Sequence, residues 1–332
     1  MPIQRCMADS PKKRSSKVGL DSDFIPLPFW VNSPQNPLPC SVYIMTHSLM
    51  ELAHKKESFL GKERREAYLA AGINHFYIRR DDWDDLCQSR LFLAGTTVPR
   101  QVAAEHRRDL LLLIYGWTCG YALPSLATKK KFNDLVKELC IRVLSHEVNP
   151  WELFLFERGP ELYFFAHSYN TALIVALLGQ RMHLGPEQLF TLIEGALLHD
   201  VGHGFIPHGD DLLCDESLEK HTQLGGALLT KLGFSQVTAQ MAMEHHERWD
   251  GEGYPFQKIK DETHAFSRIL AIADRFCDFV CGPIREVLME PEEALNELSL
   301  LEGEFDPELL EKAQSILKDS LAHWSQDRQE AA

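Results

Sequence analysis

No C-x-x-C pair occurs among the eight cysteines, which are scattered at Cys6, Cys40, Cys87, Cys119, Cys140, Cys214, Cys277 and Cys281. That spacing excludes a disulfide scaffold and reads as reduced thiols in a cytoplasmic setting. Basic charge is also scarce: 34 lysines and arginines against 48 aspartates and glutamates leave a net charge of −14. A surface-wide grip on a nucleic-acid backbone is therefore excluded, and DNA is not an expected partner. An apolar run is missing after Arg5, Lys12, Lys13, Arg14 and Lys17, so no secretory signal is expected and residues 1–21 read as a disordered basic tail. Internal repeats and low-complexity tracts are absent as well. What is present, 45% hydrophobic and 25% charged residues, suits a folded globular chain.

One stretch, Leu110 to Thr128, lacks charge over a length that permits a membrane span, with Gly116 and Gly120 forming G-x-x-x-G. Thr118, Pro124, Ser125 and the two glycines make it a poor continuous apolar helix, and basic residues flank it (Arg107, Arg108; Lys129 to Lys131). The expectation is a buried helix packed against the C-terminal half, and no membrane span.

Along the chain the pattern changes character. Phe24 to Met45 is Pro-rich and ends in Ser41 to Met45, whose β-branched and aromatic residues predict a strand. Gly61 to Ala71 reads as a helix stopped by Gly72, and Ile73 to Ile78 as a second strand. Residues 22–90 thus form an expected small α/β regulatory module. Helical periodicity begins at Val98, and residues 91–160 read as a helical linker in which Leu135, Val136, Leu139, Val143 and Leu144 share an amphipathic face. A helical domain is expected over 161–325, broken by glycine-rich turns at 202–209 and 250–256. The fold class is mainly α.

That domain carries imidazoles and carboxylates at helix ends: His167, His199, Asp200, His221, His245, His246 and Asp274. His199-Asp200 closes the apolar run Leu192 to Leu198 and precedes Gly202 and Gly204, so adjacent donors emerge where the chain can turn. One carboxylate oxygen of such a pair can serve each of two metals. His245-His246 repeats the pattern after Val237 to Glu244. Asp274 lies in the apolar helix Arg268 to Ala273, where an unpaired carboxylate is costly and a cation removes the cost. Each residue alone has an ordinary structural reading as a hydrogen-bonded core group or a polar helix end; their joint order is what points to metal chemistry.

The series His199-Asp200-Val201-Gly202, His221, His245-His246-Glu247-Arg248-Trp249-Asp250-Gly251-Glu252-Gly253-Tyr254-Pro255 and Asp274 resembles the HD-GYP family, over about residues 160–315. The segment Phe24 to Arg80 is similar, less specifically, to the module that precedes some members. The resemblance implies an all-helical HD-type domain that hydrolyses cyclic di-GMP in bacterial signalling. It implies one metal at His167, His199, Asp200 and Asp274, and a second at Asp200, His221, His245 and His246. Imidazole with carboxylate suits iron or manganese, with zinc an alternative. Asp200, Asp274 and His203 are the implied catalytic residues, with His203, Arg285 and Tyr254 toward substrate.

Departures from the family bear on turnover. A glutamate that binds a third metal in some members is Tyr163 here, so two metals are expected. The lysine that closes the HD motif is His203, which removes a permanent cation and leaves a donor or an additional ligand; the R-P-x-R pattern is Gly282-Pro283-Ile284-Arg285. Two function classes follow: a cyclic di-GMP phosphodiesterase yielding pGpG or GMP, or a weakly active receptor of that ligand or of a protein partner at the N-terminal module or the GYP loop. An HD nucleotidase acting on mononucleotides has no need of the GYP motif.

Overall fold

The computed structural model of the protein describes residues 23–28, 39–46, 49–56, 62–71, 73, 75–88, 99–146, 149–154, 163–206, 215–281 and 289–330. Strands β1 (Phe24–Pro28), β2 (Val42–Thr46), β3 (Leu49–His54) and β4 (His75–Arg79) form an antiparallel sheet in the order β1-β4-β2-β3, with α1 (Lys62–Ala70) between β3 and β4. Ile25, Leu27, Val42, Ile44, Phe76 and Ile78 alternate inward with the period of two that a half-buried sheet demands. Register reinforces the alternation, since Ile25 lies opposite Ile78 and Leu27 opposite Phe76. The expected strands and helix of this region are present within a residue or two, while β3 has no counterpart in the sequence reading.

The rest is helical: α2 (Trp83–Gln88), α3 (Pro99–Thr118), α4 (Leu126–Leu144), α5 (Pro150–Leu153), α6 (Tyr163–Arg181), α7 (Pro186–Leu198), α8 (Asp215–Lys231), α9 (Gln236–Glu244), α10 (Ala265–Cys281), α11 (Pro291–Leu298) and α12 (Pro307–Glu330). Helix α6 is the spine. Tyr169 and the unbroken run Ala172 to Leu178 are buried, so it is covered on every side, chiefly by α7, α10 and α3. A second layer, α8 on α9, closes against α7.

The uncharged run 110–128 is not the single buried helix its composition suggested. Helix α3 stops at Thr118, Gly120 takes a positive φ of 67°, and α4 restarts at Leu126. Ser125 and Thr128 cap the new helix reciprocally: the Thr128 amide donates to Ser125 Oγ at 3.2 Å and the Ser125 amide donates to Thr128 Oγ1 at 2.9 Å. Leu110 to Thr118, Gly120, Ala122 and Thr128 are buried where both helices lie on α6 and α7, whereas Leu123 and Leu126 of the same run are exposed. Among the described residues, no helix is long and apolar enough to cross a membrane.

The sheet is tied to this bundle at the end of α3. Tyr115 Oη donates to Pro26 O at 3.2 Å, Arg80 donates to the carbonyl of Tyr121, and Trp83 packs flat against Gly116. Lys129 pins α4 to the turn between α8 and α9, donating to Leu232 O and Gly233 O, both at 2.8 Å, with its ammonium over the Phe234 ring.

Candidate metal centre

Five helices and a 3-10 turn deliver the site. His167 comes from α6, His199 caps α7, and Asp200 follows it into a 3-10 turn, Val201–Phe205, that also carries His203. His221 lies on α8, His245 caps α9 with His246 behind it, and Asp274 lies on α10. The turn and α8 approach as closely as two backbones can: a Cβ on Gly202 would stand 1.9 Å from His221 O and 2.6 Å from Gly225 N. Only glycine permits that contact, and it is what brings His221 to Asp200.

The two helix ends solve the same problem in the same way. A helix leaves its last carbonyls without intrahelical donors. His199 Nδ1 takes one of them, Ala196 O, at 2.7 Å, and His245 Nδ1 takes Ala242 O at 3.0 Å. A carbonyl only accepts, so each Nδ1 must carry the proton, which leaves the Nε2 lone pair of the neutral ring facing the site. Ligand orientation by such partners is the usual accompaniment of a metal-binding imidazole.

Around Asp200 the donors divide. Oδ2 is 3.5 Å from His199 Nε2, which is 3.3 Å from Asp274 Oδ1, and that oxygen is 2.7 Å from His167 Nε2. Oδ1 faces the other way, 3.4 Å from His221 Nε2, 3.6 Å from His203 Nε2 and 3.7 Å from His245 Nε2. His221 Nε2 and His245 Nε2 are 3.2 Å apart, and His246 completes a group of three imidazoles with them. Tyr254 covers His246, with ring centroids 4.8 Å apart.

Electrostatics separate the two sides. Burial works against charge on His167 and His199, yet Asp274 and Asp200 raise both above the ordinary imidazole value. Burial would raise Asp200 and Asp274 in turn, but the surrounding histidines hold both well below the carboxylate range. Desolvation lowers His203, His221 and His245, and brings His246 to about 4. Two buried carboxylates draw positive charge onto His167 and His199 while the other four imidazoles are held neutral, and a divalent cation could take the place of that charge. The fit is supported locally by His199 Nε2, a fully buried nitrogen without a hydrogen bond among the described residues although two carboxylate oxygens stand near it.

The structure thus brings together His167, His199, Asp200, His203, His221, His245, His246, Tyr254 and Asp274. Arg285 and Gly282 lie outside the described residues, as does the side chain of Tyr163, although its backbone opens α6 four residues before His167. Sequence reasoning missed what stands behind His167. Asp278 Oδ1 is 3.7 Å from its Nδ1, and Cys281, lowered to about 5 by hydrogen bonding with Cys277 and by the neighbouring imidazole, completes that shell. The signal was available: Asp274, Asp278 and Cys281 fall at i, i+4 and i+7 on one face of α10.

The GYP loop is held by buried carboxylates. Glu247 accepts from the amides of Phe256 at 2.6 Å and Lys258 at 2.9 Å. Glu244 binds the Lys258 ammonium, the His264 amide at 3.0 Å and Ser267 Oγ at 3.1 Å, joining α9 to the loop and to the start of α10.

The domain that carries these residues resembles known proteins. Residues 158–309 match the family model described as HD domain. A probable cyclic di-GMP phosphodiesterase of Vibrio cholerae is 29% identical over 174 residues, covering 44% of this chain and 38% of that protein. The 3'3'-cGAMP-specific phosphodiesterase 2 of the same organism is 28% identical over 226 residues, covering 65% of this chain and 40% of that protein. The chain therefore spans less than half the length of these relatives. Among solved structures, Bd1817, an HDG"Y"P protein from Bdellovibrio bacteriovorus, superposes with a TM-score of 0.65 at 15% identity, covering 89% of this chain and 100% of that one. That similarity is one of fold.

Proposed function

Because this chain is a member of the HD-GYP family through its domain at residues 158–309, we propose that it is a metal-dependent phosphodiesterase acting on cyclic di-GMP. The observation that carries the reading is the divided Asp200 carboxylate, one oxygen toward His199 and the other toward His221 and His245. His167, His199, Asp200 and Asp274 would hold one divalent ion, and Asp200, His221, His245 and His246 a second, with iron or manganese as the favoured metals. Such a pair would supply Lewis acidity to a phosphoryl group and acidify water.

The residues supply the rest. The Nδ1 protons of His199 and His245, fixed on helix-end carbonyls, keep both rings oriented while charge at the centre changes. Asp274, hydrogen bonded to His167, orients the attacking water. Tyr254, held over His246 by the backbone bond from its amide to His246 O at 3.1 Å, walls the substrate side, and Arg285 takes a phosphate oxygen. Water adds to phosphorus, the P–O3' bond breaks, and the leaving 3'-oxygen takes a proton, giving linear pGpG; a second cut gives GMP.

A receptor without turnover is the second reading. It is favoured by His203, whose side chain is only 8% exposed and is directed at Asp200, so it offers little to a substrate phosphate. Metal content and hydrolysis of cyclic di-GMP and 3'3'-cGAMP, measured on one aerobic and one anaerobic preparation, separate the readings. About two ions per chain with cyclic di-GMP consumed is the expected result. Two ions with binding and no cleavage would establish the receptor; no bound metal would remove both.

A further inference from the structure

The 3-10 turn after Asp200 is built to hold one more imidazole at the centre. His203 Nε2 stands 3.6 Å from Asp200 Oδ1, between the separations of His221, 3.4 Å, and His245, 3.7 Å, from the same oxygen. Three imidazole nitrogens therefore surround one carboxylate oxygen at nearly one distance. Donors placed about 2.0–2.2 Å from a common ion are separated by about 3.0–3.5 Å along the edges of its coordination polyhedron. The His221 spacing lies within that range, and those of His203 and His245 lie 0.1 and 0.2 Å beyond it.

Position is enforced on every side. The His203 ring stacks on His221 with centroids 4.1 Å apart and planes 10° from parallel. The backbone on either side is clamped: Gly202 lies against α8, as described, and a Cβ on Gly204 would stand 2.4 Å from Gly120 N. The His203 amide donates to Asp200 O at 3.0 Å, which fixes the two residues as one unit. The clamped backbone sets His203 beside Asp200 and His221, and a turn of its ring out of the stack brings its Nε2 lone pair toward the ion that those two residues would share.

We propose that His203 is a ligand of the second ion, which makes the pocket of Asp200, His203, His221, His245 and His246 rich in nitrogen and selective for iron, cobalt, nickel or zinc over manganese or magnesium. The proposal rests on the two-ion reading above. Imidazole donors favour the first group and oxygen donors the second, so each nitrogen added shifts the preference further. An occupied His203 position also leaves that ion one site fewer for water or a phosphate oxygen.

The test is stepwise titration of metal-free protein with Co(II), then with Mn(II), followed by calorimetry and by visible absorption of the Co(II) form. Parent protein should take two equivalents, with Co(II) far preferred at one of them. In His203→Ala and in His203→Gln, which retains bulk if the smaller residue impairs folding, affinity for one equivalent should fall at least about ten-fold while the other stays unchanged. The absorption change should be confined to the weakened equivalent, and its preference over Mn(II) should narrow. Thermal melting of the metal-free variants controls for folding. Unaltered titrations in both variants would overturn the proposal and leave the two-ion reading standing. A His203→Lys variant that keeps both ions and binds cyclic di-GMP more tightly would overturn it too, assigning His203 to the phosphate. A parent protein that takes up no Co(II) would overturn both together.

Discussion

Loss of the Asp200 side chain would withdraw an oxygen from both imidazole sets at once, since Oδ2 faces His199 and Oδ1 faces His221, His203 and His245. His221 touches only the second set. Asp200→Ala should therefore strip both ions from the purified protein, whereas His221→Ala should deplete mainly one, as read by elemental analysis after dialysis against a weak chelator. Equal metal content in the two variants would refute the division. At this scale the gathering of these residues was legible in the chain through their joint order, since each histidine or aspartate alone also reads as a hydrogen-bonded core group or a polar helix end. The carbonyls of Ala196 and Ala242 were not legible. Their role depends on where α7 and α9 stop, and a helix end is set by packing to within a residue or two.

Helices α7 and α9 are joined by a second buried carboxylate, remote from the ligands. Thr238 Oγ1 donates to Glu194 Oε2 at 2.6 Å, beneath the cap in which the Thr238 amide donates to Ser235 Oγ at 3.0 Å. Burial raises Glu194 above the ordinary carboxylate value, against the Thr238 hydrogen bond and the Lys129 charge, which lower it. A carboxyl group raised on folding contributes stability that is complete below its unfolded pKa, about 4.3, and is lost as pH climbs through the raised folded value. Glutamine keeps the acceptor and omits the ionisation. Glu194→Gln should thus gain on the parent as pH rises from below the carboxylate range to neutrality; urea unfolding at both ends of that window measures the gap, and a constant gap would contradict the argument. Elements differed in legibility for related reasons. Alternation made β2 and β4 readable, whereas β3, Leu-Met-Glu-Leu-Ala-His, has a mostly exposed pattern and helix-forming residues, and it is a strand because β2 offers an edge. The run 110–128 hid a turn because its lack of charge is continuous while its backbone is not: Gly120 and the Ser125 cap break the helix without adding charge.

Across the whole molecule, the sheet reaches the metal turn through one narrow passage. Pro26 and Trp83 meet α3 at Tyr115 and Gly116, Arg80 meets Tyr121 just beyond it, and the chain following α3 meets the metal turn where Gly120 and Gly204 exclude any side chain between them. No local pattern announces this contact, since the two glycines are far apart in sequence and each alone reads as an ordinary loop residue. Its consequence is for how the protein opens. Two backbones that share one volume cannot loosen independently, so the Gly120 amide, bonded to Trp117 O at 3.1 Å, and the His203 amide, bonded to Asp200 O at 3.0 Å, belong to one cooperative exchange unit. Hydrogen–deuterium exchange of the metal-free protein should give these two amides a common opening free energy. Gly204→Ala, forced against Gly120 and Trp117 at a cost of about 1–3 kcal/mol, should lower both protections by the same amount. Separate responses would mean that the turn breathes without α3, and that a perturbation felt at the sheet dies out before it reaches Asp200.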